Sequence, residues 1–252
     1  MRETTVIGDI HGQSAVLQNL LRYLAPTLRS DSTVVMLGDY IDRGPDSCGV
    51  IEQLLELQSR LPGRFVALLG NHEEWMLETL RDFTRHSWLL GMKGLSTIES
   101  YSAGAAEELR NQMQHFGPRL FVERIKLPYE LFFDAVPGSH LAFVQQLVRC
   151  YEDDRGFYSH AGLDPSRPLS DQDSRTHTWG RDYDLSDYRG KTVVYGHWNN
   201  MTQTDSGRLM PYVCGATIGI DSIAHDALTA VRLPSEELIQ ATGDRLDVFR
   251  HS

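Results

Sequence analysis

Between Thr4 and Phe83 the chain repeats one pattern three times: a short apolar run, glycine with charged residues, then a segment with helical spacing. The apolar runs are TTVIG (Thr4–Gly8), STVVML (Ser32–Leu37) and RFVALL (Arg64–Leu69). The segments after them are QSAVLQNLLRYL (Gln13–Leu24), CGVIEQLLELQSRL (Cys48–Leu61) and EEWMLETLRDF (Glu73–Phe83). In the first of these, Val16, Leu17, Leu20, Leu21 and Leu24 recur at the spacing of one helix face. The β-α-β-α-β-α order predicts parallel strands joined by right-handed crossovers.

From Ser87 to Cys150 the strand signal fades. GAAEELRNQMQHF and PGSHLAFVQQLVRC are helical in pattern, so residues 87–150 are expected to form a helical elaboration packed on the sheet. Strands resume at GFYSHAG (Gly156–Gly162), KTVVYGH (Lys191–His197), VCGATIGID (Val213–Asp221) and ALTAVRLP (Ala227–Pro234). The last two are expected to be consecutive and antiparallel; the tail after Pro234 carries little pattern. The fold class expected is α/β, a mixed β-sheet sandwich flanked by helices, in a single domain over residues 1–252.

Composition narrows the function. Of 252 residues, 41% are hydrophobic and 23% charged, ordinary for a globular protein, and the formal net charge is −10. That balance argues against a nucleic-acid or membrane partner. No stretch approaches the roughly 18 apolar residues of a membrane span, and the first five residues lack a signal-peptide layout. Cys48, Cys150 and Cys214 are far apart with no CxxC spacing, which is expected of free thiols in a reduced, cytoplasmic protein.

Almost every expected strand stops at a charged or metal-liking residue: IGDIHG, LGDYIDRG, LGNHE, YSHAG and YGH. Ligands of α/β sheets collect at the carboxyl ends of strands. Five such ends would bring Asp9, His11, Asp39, Asp42, Arg43, Asn71, His72, His160 and His197 to one region. Carboxylate, imidazole and amide donors without a thiolate suit Mn, Fe, Co or Zn. The donors exceed what one ion needs, and two ions sharing a carboxylate suit in-line displacement at phosphorus.

GDIHG, GDYIDRG and GNHE, followed by SHAG and YGH, resemble the phosphoprotein-phosphatase branch of the calcineurin-like metallophosphoesterases, most of all its bacterial and phage Ser/Thr phosphatases. The motifs run from Gly8 to His197, with further likeness in RLPG, GIDS and LTAVRLP. The resemblance implies that Asp9 and His11 hold a first divalent metal, that Asp39 bridges, and that Asn71, His160 and His197 complete a second. It implies Mn²⁺ first, with Fe, Zn or Co as other occupants. His72 would be the general acid, and Asp42 would orient and charge it. Arg43 would grip phosphate oxygens together with Asn71 and His72, and Arg181 in WGRD is the best match for a second arginine. Hydrolysis would be a single step by a hydroxide shared between the metals.

Each residue also has a plainer reading. A lone Asp9 or Asp39 would more often be a turn or helix-cap residue; the ordered set of five motifs reverses that weighting. Glu73 is expected to support the GNHE turn, and His86, His115, His140, His177, His225 and His251 to be non-ligands. Trp75, Trp88, Leu89 and Leu90 are expected in packing, with Trp88 also a candidate for the cleft wall. The chain departs from the family where Gly-His-Thr-Pro becomes Gly196-His197-Trp198-Asn199, and where IDTGA becomes Ile220-Asp221-Ser222.

The leading expectation is a monomeric phosphatase acting on phosphoserine, phosphothreonine and also phosphotyrosine proteins. The alternative is a dinucleoside polyphosphate hydrolase of the diadenosine-tetraphosphatase kind. Symmetrical hydrolases of that kind carry Ala where Asp42 stands and Asp where Glu73 stands, which favours the former. A catalytically silent phosphoprotein-binding module would require a lost ligand or acid, and none is missing.

Overall fold

A computed structural model describes residues 3–199, 201–205 and 208–250. The first half follows the repeated pattern: β1 (Thr4–Ile7), α1 (Ser14–Leu24), β2 (Thr33–Met36), α2 (Ser47–Arg60), β3 (Arg64–Ala67) and α3 (Asn71–Arg81). β1 pairs in parallel with β2, and β2 with β3, so all three carboxyl ends point the same way. The elaboration then supplies α4 (Ser87–Gly91), α5 (Leu95–Tyr101), α6 (Ala103–Phe116), α7 (Glu130–Phe133) and α8 (Gly138–Gln145).

The chain next enters a second sheet with β4 (Cys150–Glu152) and β5 (Phe157–Ser159), passes α9 (Ser174–Trp179), and returns as β6 (Val193–Tyr195). A small ribbon, β7 (Thr202–Gln203) with β8 (Leu209–Met210), precedes β9 (Tyr212–Cys214) and β10 (Thr217–Gly219). β11 (Leu228–Leu233), β12 (Glu237–Ala241) and β13 (Leu246–Arg250) end the described chain. One sheet has the order β13-β12-β11-β1-β2-β3 and the other β4-β5-β6-β10-β9.

Three expectations change. Val213–Asp221 is not one strand but the hairpin of β9 and β10, and Leu228–Leu233 leaves it to pair antiparallel with β1 in the other sheet. The tail after Pro234 forms two strands that extend that sheet. The expected helix through Cys150 stops at Gln145, and Cys150 begins β4, paired with Ser159. These are partnerships between distant segments, which local pattern does not encode.

Strand side chains alternate between two cores. Val6, Val35, Val66, Val231 and Leu238 face the second sheet, where they meet Tyr158, Val194 and Ile218. Their neighbours Ile7, Met36, Ala230 and Ile239 face the helices, against Leu17, Leu20, Val50 and Leu54. Burial on both faces is why β1 and β2 carry consecutive apolar residues, Val6-Ile7 and Val34-Val35-Met36. Full burial of each large aliphatic chain contributes about 1.5–3 kcal/mol.

Where β2 meets β3, two glycines let the backbones touch. Gly38 has φ +105°, and a Cβ there would lie 2.6 Å from the Gly70 nitrogen. Gly38→Ala is therefore expected to lower the unfolding free energy by about 2 kcal/mol or more in urea titration. A loss below about 0.5 kcal/mol would mean that the junction is not this tight.

Candidate metal centre

The carboxyl ends of β1, β2 and β3 face those of β5, β6 and β10, and the loops beyond them share one buried space. They deliver Asp9 and His11, then Asp39, then Asn71 and His72, then His160, His197 and Asp221, all buried or half-buried. Five of the nine non-glycine residues with positive φ among the described residues lie here: His11, Asp39, Asp42, Arg43 and His197. Such conformations cost energy and persist only where the surroundings enforce them.

The enforcement is visible in backbone bonds. Ile10 and His11 N–H both donate to the Asp39 carbonyl, at 3.0 and 2.8 Å, and Gly12 N–H donates to the Tyr40 carbonyl. The buried Glu73 carboxylate accepts the N–H groups of Asp39, Tyr40, Ile41 and Gly70, at 3.0, 2.8, 3.2 and 3.2 Å. Glu73 thus ties the GDYIDRG and GNHE loops together, a wider part than supporting its own turn. Burial and nearby Asp39 push its pKa up to about 8, against backbone donors that favour the ionised form.

Asp39 is central. Its Oδ2 lies 3.4 Å from His11 Nε2 and 3.8 Å from His72 Nε2, and its Oδ1 lies 3.5 Å from His160 Nε2. Two sets of donor atoms are tight enough to hold an ion: Asp39 with His11 and His72, and Asp39 with His160 and His197. Burial lowers the pKa of His11 and His197 to about 3 and also lowers that of His160, leaving neutral imidazoles, the form that binds metals.

The proton inventory supports a cation. His160 Nδ1 lies 3.0 Å from the Leu37 carbonyl, so its proton is used there and Nε2 presents a bare lone pair. That lone pair faces Asn71 Oδ1 at 3.0 Å and His197 Nδ1 at 3.1 Å. The Asn71 oxygen also lies 3.2 Å from both Asp39 oxygens, so three acceptor oxygens converge beside the His160 lone pair. Turning the amide over would put an NH₂ donor there; with the oxygen inward, a cation satisfies the converging oxygens and the His160 lone pair together. His11 repeats the logic, its Nδ1 bonded to the Ile41 carbonyl and its Nε2 aimed at Asp39. Burial, then Asp221 and Asp39, raise the Asp9 pKa, and Asp221 is pushed up to about 6, first by burial. A cation would relieve this crowding of carboxylates.

Asp9 accepts from the His197 backbone N–H, at 3.2 and 3.1 Å, and so stands beside the tightest sets. His72 Nδ1 donates to Asp42 Oδ2 at 2.7 Å, and Arg43 Nη2 lies 3.2 Å from His72 Nε2. Burial opposes protonation of His72, yet Asp39 and Asp42 raise its pKa overall. Arg43 can donate only to the neutral ring, so protonation of His72 leaves the guanidinium for an anion.

Arg181 does not join the buried cluster. It is exposed on the wall of an adjoining cavity of about 780 Å³, with Tyr183, Tyr195, Trp198 and Tyr212. Trp198 is 40% exposed, donates its Nε1–H to the Ala161 carbonyl at 3.1 Å, and turns a ring edge against His197. Trp88 is no cleft wall: it is fully buried, with its indole N–H on Asp42. Trp75 packs against Trp179. His86 and His140 are held by Tyr129 and Ile125, and by Glu52 and Tyr101, away from the cluster, and His251 lies outside the described residues.

The calcineurin-like phosphoesterase family matches residues 3–203. The chain belongs to this family, whose members are metal-dependent phosphoesterases, and its relatives are consistent with the phosphoprotein-phosphatase branch. It is 26% identical to an asymmetrical bis(5′-nucleosyl)-tetraphosphatase of Oceanobacillus iheyensis, over 93% of this chain and 90% of that one. It is 27% identical to serine/threonine-protein phosphatase 2 of Escherichia coli, over 58% of this chain and 65% of that one. A solved candidate diadenosine tetraphosphatase shares the fold, with a TM-score of 0.60 at 22% identity over 95% and 92% of the two chains. No helix among the described residues is long and apolar enough to cross a membrane.

Added Mn²⁺ is expected to stabilise the protein by about 2.7 kcal/mol at a hundredfold excess over its dissociation constant. The measurement is the rise in thermal midpoint on Mn²⁺ addition. A midpoint indifferent to Mn²⁺, Zn²⁺ and Fe²⁺ alike would contradict a cation site.

Proposed function

We propose that this phosphoesterase hydrolyses phosphomonoesters on serine and threonine side chains of proteins, and also on tyrosine. The supporting observation is the buried pair of His72 and Asp42, 2.7 Å apart, with His72 Nε2 turned toward the Asp39 carboxylate. An alkoxide is a poor leaving group and needs a proton as its bond to phosphorus breaks, which a placed acid supplies. A polyphosphate leaving group needs it less.

Asp9 and His11 would hold one divalent ion, Asn71, His160 and His197 a second, and Asp39 would serve both, with Mn²⁺ as the first occupant to test. When bound, the ions would supply Lewis acidity toward an attacking water and the phosphoryl oxygens. The chain's own residues do the rest. Arg43 binds phosphate oxygens through its forked donors, and Arg181, from the neighbouring wall, holds the substrate's outer side. His72 gives the proton on Nε2 to the departing ester oxygen. Asp42 keeps Nδ1 occupied, so the ring presents the correct nitrogen and its positive charge is balanced.

A second reading, dinucleoside polyphosphate hydrolysis, is favoured by the near full-length relative and by the aromatic cavity around Tyr183, Trp198 and Tyr212. Hydrolysis of p-nitrophenyl phosphate, a phosphoserine peptide and diadenosine tetraphosphate, with Mn²⁺ and after chelation, separates the two. Metal-stimulated turnover of the peptide is expected, and turnover of the dinucleotide alone would give the second reading.

His72→Asn is expected to lower kcat on the peptide by about 10²–10⁴-fold with its metal content retained. Loss of both metals in that variant would make His72 a ligand instead. Asp39→Ala should lose both ions by elemental analysis, and a full pair retained there would contradict the bridge.

A further inference from the structure

We infer that Trp88 and Thr97, contributed by the helical elaboration, are positioning residues that hold the Asp42 carboxylate in place and aimed at His72. This rests on the reading of His72 as the general acid. Asp42 is wholly buried, and three side-chain donors fill its oxygens. Thr97 Oγ1–H donates to Oδ1 at 2.5 Å. The Trp88 indole N–H is shared between Oδ1 and Oδ2, at 3.1 and 2.9 Å, and His72 Nδ1–H takes Oδ2 at 2.7 Å. Trp88 and Thr97 are themselves fully buried, so water does not compete for these bonds.

Thr97 grips Asp42 a second time. Its Oγ1 accepts the Asp42 backbone N–H at 2.8 Å, and Ser47 Oγ, 3.0 Å away, lies 3.1 Å from the same N–H. That grip fixes a residue at φ +71°, a conformation unfavourable for aspartate without support. Backbone and carboxylate are therefore both pinned by one hydroxyl.

The physical need is specific. Burial favours the neutral form of Asp42, and bonds from His72, Thr97 and Trp88 oppose it. A neutral or rotated Asp42 would no longer balance a protonated His72. With one donor removed, an oxygen of a buried carboxylate is left unpaired, which such a group avoids by turning or by taking up a proton. α4 and α5, which carry Trp88 and Thr97, are thereby tied to the acid without either side chain touching substrate.

The test exploits the leaving group. Serine alkoxide needs the acid, whereas p-nitrophenolate departs without a proton. We compare kcat and KM of the Mn²⁺-loaded wild type, Trp88→Phe, Thr97→Val and Thr97→Ser on a phosphoserine peptide and on p-nitrophenyl phosphate. The ratio of kcat on the peptide to kcat on the aryl ester should fall about tenfold in Trp88→Phe and Thr97→Val, with KM changed less than about twofold. Thr97→Ser, which keeps the hydroxyl, should restore most of the ratio. If Trp88→Phe does not fold, the two Thr97 variants decide. An unchanged ratio, or equal loss on both substrates, would overturn the clamp while leaving the phosphatase reading intact. An inactive wild type would overturn that reading and the clamp with it.

Discussion

The arrangement depends on one carboxylate standing where two sheets meet. Asp39 stands in the loop after β2 of the first sheet, and its oxygens face His11 from the loop after β1, His72 from the start of α3 and His160 just past β5 of the second sheet. A carboxylate buried this deeply without a countercharge is unfavourable by several kcal/mol. Its surroundings answer with imidazole rings and with the inward oxygen of Asn71. The sandwich brings two sets of parallel carboxyl ends face to face, which supplies ligands from both sides of a narrow gap. Glu73 keeps the gap fixed by gathering four backbone N–H groups from two loops.

Around that centre the protein separates charge management from proton management. The histidines facing Asp39 from β1 and from the second sheet are neutral, as burial dictates, and suit a cation. His72 stands at the edge of the same space with a raised pKa, because Asp39 faces it and Asp42 lies on its far side. The elaboration, expected to pack on the sheet, reaches Asp42 through Trp88 and Thr97. Arg43 sits at the boundary, bonded to His72 in the resting arrangement and available to an anion when that ring is protonated.

The candidate site was legible in sequence because each motif is local. Gly8-Asp9-Ile10-His11 or Gly70-Asn71-His72 needs only a strand end and a tight turn to present its side chains, and strands of this kind are recognisable by their apolar runs. Sheet order was less legible. Nothing in Leu228–Leu233 states that it pairs with β1 rather than with β10 beside it in sequence, since both pairings bury the same residues. β12 and β13 were missed because Glu237, Gln240 and Asp247 interrupt their apolar pattern, although Gln240 is buried with its amide on Leu209 and Thr229. Trp88 and Thr97 were illegible as partners of Asp42: a tryptophan and a threonine in helical segments have many uses. A signal was present only in the placement of a polar-edged aromatic within an otherwise apolar helix.

The central claim is that Asp39 lies between two divalent ions. The most direct test is anomalous diffraction from crystals grown with Mn²⁺, collected at the metal edge. Two peaks about 3.5–4 Å apart, each within bonding distance of an Asp39 oxygen, are expected. A single peak, or a pair that leaves Asp39 untouched, would contradict it.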